Sequence, residues 1–342
     1  MNTRKHSKKM HPLICILIDA VIVCIILGSI YYFLCLRDKP DNPSVVLPTP
    51  SVAPTASATP APTEVIGSDT PAPTLDLQYA GMFGANVGDK LGAIGSEPVI
   101  TENSYKSENV VIEIARVEKY DTVYFVADIY IRDLSSLRTA FGSNDYRVYD
   151  PKWVYEIGAA NNAIAAFSGD YCQFAYDGLV IRNGVLYSEK TNTADVAVLY
   201  NDGVLATYGP GEVDIDYIKT NGAFQAWCFG PSLLDKNGNA TKEFNSTVPR
   251  ANPRTAIGYY EPGHYILLVA DGRQPDYSVG LTLKDMSQIF YELGCKSAYN
   301  LDGGQSATMS FGLRQDSLYN RPYNGGRRVG DIIYICEPQV GG

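Results

Sequence analysis

Hydrophobic residues are distributed along this chain in successive regimes. Over residues 12–36 they form a nearly unbroken run, interrupted by Asp19 and a few small or hydroxyl residues. From Asp38 to about Leu75 they give way to Pro, Thr, Ser and Ala, as in Pro60-Ala61-Pro62-Thr63. Beyond Gln78, short apolar or alternating stretches are punctuated by Gly, Asn, Asp and Pro, the pattern of many short strands with few helices.

Within that last part the pattern predicts a hairpin over residues 110–131, turning at Lys119-Tyr120-Asp121. Asp150 before Pro151 reads as a helix start, the helix ending near Asn161-Asn162. A strand over 163–167 follows and runs into Ser168-Gly169-Asp170. Asn183-Gly184 and Asn201-Asp202-Gly203 mark further turns, and Phe229-Gly230-Pro231 closes a strand and loop. A strand opening at Arg254 and a last one at 331–336 complete the set.

The most informative stretch lies between these. The apolar run 265–270 ends in Asp271-Gly272-Arg273. Thr282 and Asp285 then form a capping pair, Met286, Ile289, Phe290 and Leu293 repeat at helical spacing, and Gly294 supplies the stop. A second short strand runs into Asn300-Leu301-Asp302-Gly303-Gly304-Gln305-Ser306-Ala307-Thr308. Strand, helix, strand predicts a βαβ unit with parallel strands that end on one sheet edge. Asp271, Arg273 and Asp302 are therefore expected near one another, where α/β sheets bind ligands. One Asp-Gly pair would be only a turn; two on one predicted edge, with an adjacent Arg, favour a site.

The expected fold class is α+β: a mixed β-sheet domain over residues 78–342 with flanking helices and the βαβ unit. A single transmembrane helix and a Pro/Thr-rich linker precede it. The run 12–36 is long enough to cross a bilayer, which takes about 20 residues. Arg4, Lys5, Lys8 and Lys9 lie before it, so residues 1–11 are expected to stay cytoplasmic and the rest to be exported. No Ala-x-Ala cleavage site follows, which favours an uncleaved anchor over a signal peptide. Residues 37–77 read as a disordered, extended tether able to reach on the order of 100 Å.

Charge and residue usage narrow the chemistry. The formal net charge is −9 despite the basic start, which argues against nucleic acid as a partner. His264 is the only histidine after residue 11, so neither a Ser-His-Asp triad nor a histidine zinc site is expected. Cys172, Cys228, Cys295 and Cys336 show no metal-ligand spacing, and no pairing among them follows. Catalysis is left to carboxylates, hydroxyls, arginines or an oxygen-liganded metal.

Ser168-Gly169-Asp170, Ile181-Arg182-Asn183-Gly184, Phe229-Gly230-Pro231, Pro253-Arg254-Thr255-Ala256-Ile257-Gly258, Asp271-Gly272-Arg273 and Asn300-Leu301-Asp302-Gly303-Gly304 together resemble the phosphodiester glycosidase family. The resemblance implies cleavage of a sugar from a phosphodiester that links it to another sugar or a polyol. Bacterial relatives are often membrane-anchored, exported proteins of exopolysaccharide or cell-wall metabolism, in keeping with the anchor and tether. Two positions depart from the family pattern: Ser168 replaces the usual Asn, and Gln305 replaces a third glycine. Both bear on substrate identity more than on reaction class.

On this basis Arg254 and Arg273 are expected to hold the phosphate, since a guanidinium fork matches its oxygens. The N–H groups of Gly303, Gly304 and Gln305 would form an anion nest, supported by Ser306 and Thr308, with Asn300 and Ser168 completing the binding set. Asp302 is the expected central catalytic carboxylate, with Asp170 as its partner and Asp271 as the third candidate. Calcium or magnesium at Asp170 remains an open alternative. A non-catalytic glycan-binding scaffold, or a glycosyl-phosphate transferase on the same fold, are the competing readings.

Overall fold

The computed structural model describes residues 82–175, 178–191, 194–312 and 318–338, with the short strand Val45–Val46. The expected tail, the anchor and nearly all of the tether lie outside the described residues. Among the described residues, no helix is long and apolar enough to cross a membrane. Val45 and Val46, inside the expected tether, pair antiparallel with Leu186 and Val185.

Three β-sheets dominate, and every strand pairing in them is antiparallel. The seven-stranded sheet carries Ser297–Leu301, Arg254–Glu261, His264–Ala270, Thr122–Ile131 and Val110–Lys119 side by side. The hairpin turn at Tyr120-Asp121 has both residues at positive φ, 60° and 52°, the geometry that matches strand twist in two-residue hairpins. His264–Ala270 reads as a continuous apolar run because both its faces are buried. One face packs on the helix Leu283–Glu292 through Met286, Ile289 and Phe290. The other packs on Phe167, Met309, Phe311 and Ile333 of the four-stranded sheet, and on Leu199 and Trp227 of the six-stranded one.

The βαβ expectation takes a modified form. His264–Ala270 and Ser297–Leu301 run in the same direction, but Arg254–Glu261 lies between them, antiparallel to both. The cause is local: Arg254–Glu261 and His264–Ala270 form a tight hairpin at Pro262-Gly263, so the helix must carry the chain across an occupied position. The unit is a split βαβ. The two Asp-Gly ends still fall on one edge.

A second correction concerns the helix expected from Asp150. It starts later, at Val154, with Trp153 extended before it and the Glu156 carboxylate accepting the Trp153 N–H at 2.9 Å. Lys152 is committed to a two-way backbone bridge with Val329, which keeps 151–153 out of the helix. Further along, Thr282 caps Leu283–Glu292 as expected, with Asp285 closing the capping box. Among the described residues, Cys172, Cys228, Cys295 and Cys336 are buried free thiols.

Phe290 is wholly buried between this helix and the sheet. Phe290→Ala should cost about 3–5 kcal/mol of folding stability, and Thr282→Ala about 1 kcal/mol. Urea unfolding of the two variants would show the larger effect in the first.

Candidate active site

Arg254 opens its strand at the edge where the neighbouring strands end. It pairs with Ala270 on one side, while Thr255 pairs with Leu301 on the other. Asp271 and Asp302 therefore leave the sheet on either side of Arg254. The Asp302 N–H donates to the Gly169 carbonyl at 3.0 Å, and the Ser168 and Thr255 hydroxyls meet at 2.9 Å. Motifs far apart in sequence thus converge on one edge.

Asp302 is the carboxylate presented there, its side chain 11% exposed. Its Oδ2 accepts from Arg327 Nη2 at 3.1 Å. Arg327 Nε in turn donates to the Ser306 hydroxyl, and its guanidinium lies over Tyr171 at 5.5 Å. Burial lifts the Asp302 carboxyl above the usual aspartate range, while Ser306, Arg327 and the Gly303 backbone hold the rise in check.

The glycines of the turn create room for a cation. Gly304 has φ +61°, and a Cβ there would sit 3.3 Å from Arg273 Nη2. Arg273 itself is at φ 56°, with Nε and Nη2 on Asn252 Oδ1 at 3.1 and 2.9 Å, and lies over Tyr323. Beside it, buried Arg254 donates to the carbonyls of Leu281, Val248 and Arg250. Burial and the nearby Arg273 push Arg254 down to about 10. Among the described residues, neither arginine has a carboxylate within ion-pair distance. Two adjacent guanidinium groups without a counter-ion, at a turn whose Asp302 carboxylate is paired with Arg327, form a place for an anion.

Several expected site residues have other work. Asp170 is sealed: Oδ1 takes Arg182 Nη2 at 2.6 Å and the Cys172 N–H at 3.1 Å, and Oδ2 takes the Cys228 N–H at 2.9 Å. With no exposed side-chain surface and both oxygens occupied, it cannot partner Asp302 at a substrate. Nor does it offer a divalent-cation site, although Asp170, Cys172 and Asp331 cluster closely. The Arg182 guanidinium fills that cluster, reaching Asp331 Oδ2 at 3.0 Å and Cys172 Sγ at 3.3 Å. Gly169 makes the packing possible, since a Cβ there would lie 2.5 Å from the Asp331 carboxyl.

Asp271 is likewise enclosed. It accepts from Asn320 Nδ2 at 2.8 Å, the Tyr277 hydroxyl at 3.0 Å and the Arg321 N–H at 3.1 Å. Burial raises its carboxyl and these donors oppose the rise. Its role is to anchor the segment 318–328. The expected nest does not form as drawn, because the Gly304 N–H is taken by the Pro253 carbonyl at 2.8 Å. A Cβ on Gly303 would stand 2.7 Å from that same carbonyl oxygen. Gln305 donates to the Gly326 carbonyl, buried Thr308 donates to the Ser306 carbonyl, and Asn300 holds the Gly230 carbonyl at 2.6 Å.

The sequence reading missed Arg327, Arg321 and Asn320. A signal existed: 320–328 places Arg321, Arg327 and Arg328 in nine residues of an otherwise acidic chain, around turn-forming Pro and Asn-Gly.

An antiparallel sheet edge thus carries an aspartate paired with Arg327, beside the guanidinium groups of Arg254 and Arg273. The phosphodiester glycosidase family model matches residues 161–336, half the chain, and the chain belongs to that family. It is 34% identical over 136 residues to the SPbeta prophage-derived uncharacterized protein YomE of Bacillus subtilis (strain 168), covering 38% of this chain and 21% of that protein. It is 31% identical over 108 residues to N-acetylglucosamine-1-phosphodiester alpha-N-acetylglucosaminidase of Bos taurus, covering 29% of this chain and 19% of the relative. The chain thus spans about a fifth of the length of the curated relatives it matches. Its fold is similar to the catalytic domain of the zebrafish enzyme of that name, auto-inhibited by its pro-peptide. The TM-score is 0.54 at 20% identity, over 67% of this chain and 83% of that one.

Removing Arg182 would strand two buried carboxylates, so Arg182→Met should cost about 3–5 kcal/mol in urea unfolding. Burial and repulsion from Asp170 push Asp331 up to about 6, against the attraction of Arg182. The native state then holds a proton that the unfolded state releases from about pH 4 upward. Stability from this group is present below that point and is lost as pH rises through about 6. Unfolding free energies measured across this window should fall with pH, and Asp331→Asn should flatten the slope.

Proposed function

We propose that this chain is an extracytoplasmic hydrolase that cleaves a glycosyl-1-phosphodiester bond in a cell-surface or wall glycan. The observation that carries the reading is the pair Arg254 and Arg273, without carboxylate partners, beside the Asp302-Gly303-Gly304 turn. Family membership supports it, and the basic start, apolar run and Pro/Thr-rich stretch support placement outside an anchoring membrane.

One presented carboxylate suits this chemistry. A phosphate monoester leaves without needing a proton, so no second carboxylic acid is required. Arg273 and Arg254 bind the diester oxygens and stabilise the charge that grows on them as the bond from the anomeric carbon to oxygen breaks. The bonding electron pair departs with the phosphate. Asp302 takes the proton of a water whose oxygen attacks the anomeric carbon, and Arg327 and Ser306 hold that carboxylate in place.

The full chain in detergent, incubated with a methyl diester of a sugar 1-phosphate, should release free reducing sugar. Release of sugar phosphate instead would sink the glycosidase reading. Asp302→Asn should lower kcat by about 10²–10⁴, and Arg273→Ala by about 10²–10³. A base must be ionised, so kcat/KM should fall as pH drops through the raised Asp302 value, giving an acid limb above that of an ordinary aspartate. Arg327→Met removes a cation that lowers this value, and should move the limb to higher pH.

A further inference from the structure

A cleft of about 650 Å³ lies next to the site and has no part in the bond cleavage described above. Its lining includes Trp153 and Tyr155, whose rings stack on each other, parallel within 6° and with centroids 6.1 Å apart. Their placement is fixed from below: Val154 and Ile157 of the same helix are buried in the core, and Lys152 is bridged to Val329. The same lining carries Gln274, Arg321 and Asn324. Arg321 is exposed, lies over Tyr277 at 4.6 Å, and is tied through its backbone to Asp271. Asn324 continues through Gly325 and Gly326 to Arg327, which grips Asp302. One segment therefore forms both a wall of the cleft and a wall of the anion site.

We propose that this cleft is a subsite for the glycan on the far side of the phosphate, taking a pyranose unit of that chain. A pyranose ring has an apolar C–H face and a rim of hydroxyls. The outer face of the stacked aromatic pair matches the apolar face, and the amide and guanidinium groups of the same lining match the rim. The proposal rests on the glycosyl-phosphodiester reading of the Asp302 site, and it makes a polymer-linked diester, rather than a small free one, the preferred substrate. An acidic sugar would gain a further contact with Arg321.

The chain has two tryptophans, and Trp227 is wholly buried, so a ligand that alters the emission acts on Trp153. The full chain in detergent would be titrated with tetramers of N-acetylglucosamine, of glucose and of galacturonic acid. A saturable emission change with at least one tetramer is expected, weakened roughly tenfold by Tyr155→Ala. On a glycan-linked diester the same variant should raise KM about tenfold at unchanged kcat, with turnover of the methyl diester unaffected. No emission change with any tetramer at millimolar concentration, or a curve unmoved by Tyr155→Ala, would overturn the subsite. Equal loss on both diesters would also overturn it, because that is how a merely structural residue behaves. The titration needs no turnover, so an inactive chain would fail the glycosidase reading while the emission still decides the subsite.

Discussion

The buried contact between Arg182 and the two aspartates Asp170 and Asp331 is the joint on which the rest of this molecule depends. Arg182 ends a strand of the six-stranded sheet, whereas Asp331 opens a strand of the four-stranded one and Asp170 lies just past the end of another. The Cys228 N–H on Asp170 adds a second tie to the six-stranded sheet. One residue away, the Gly169 carbonyl receives the Asp302 N–H and brings in the seven-stranded sheet. Apolar contacts between sheets are plentiful but non-directional, and would tolerate sliding. A guanidinium fork between two carboxylates does not, because displacement strands charge in a medium that cannot solvate it. The position of Asp302 is thus inherited from a buried ion cluster.

Outward from that joint, the charge pattern inverts. The chain is acidic overall, yet Arg254, Arg273 and Arg327 converge on the turn after Leu301. Each is held by neutral groups or aromatic faces rather than mainly by acids: carbonyls for Arg254, an amide and Tyr323 for Arg273, and Tyr171 for Arg327. Neutral holders fix a guanidinium without cancelling its charge. Only Arg327 gives part of its charge to a carboxylate, and that carboxylate is Asp302.

Much of this was legible in the sequence because it is local. The capped helix from Thr282, the turn around Tyr120-Asp121 and the apolar strand run 265–270 each follow from residues within a turn or two of one another. The shared edge of Asp271 and Asp302 follows from the crossover rule, which holds whether or not a strand intervenes. Side-chain employment was not legible. Asp170, Asp271 and Asp302 each adjoin a glycine, and only long-range partners tell them apart: Arg182 for the first, Asn320 and Tyr277 for the second, Arg327 for the third. Arg327 escaped notice because its meaning lies in a contact with a residue twenty-five positions earlier.

The place of the strand Asp331–Ile335 has a consequence for how the molecule comes into being. It lies inside the four-stranded sheet, between Ala165–Ser168 and Leu137–Phe141, although it follows every other strand of the described residues in the chain. Those earlier strands have an empty lane between them while synthesis proceeds. Until residue 335 has emerged, Asp331 is missing from beside Arg182, and Arg327 has barely arrived beside Asp302. Long-range closure of this kind is slow compared with local folding. A growing chain therefore leaves both the ion cluster and the contact between Arg327 and Asp302 incomplete until these residues have emerged.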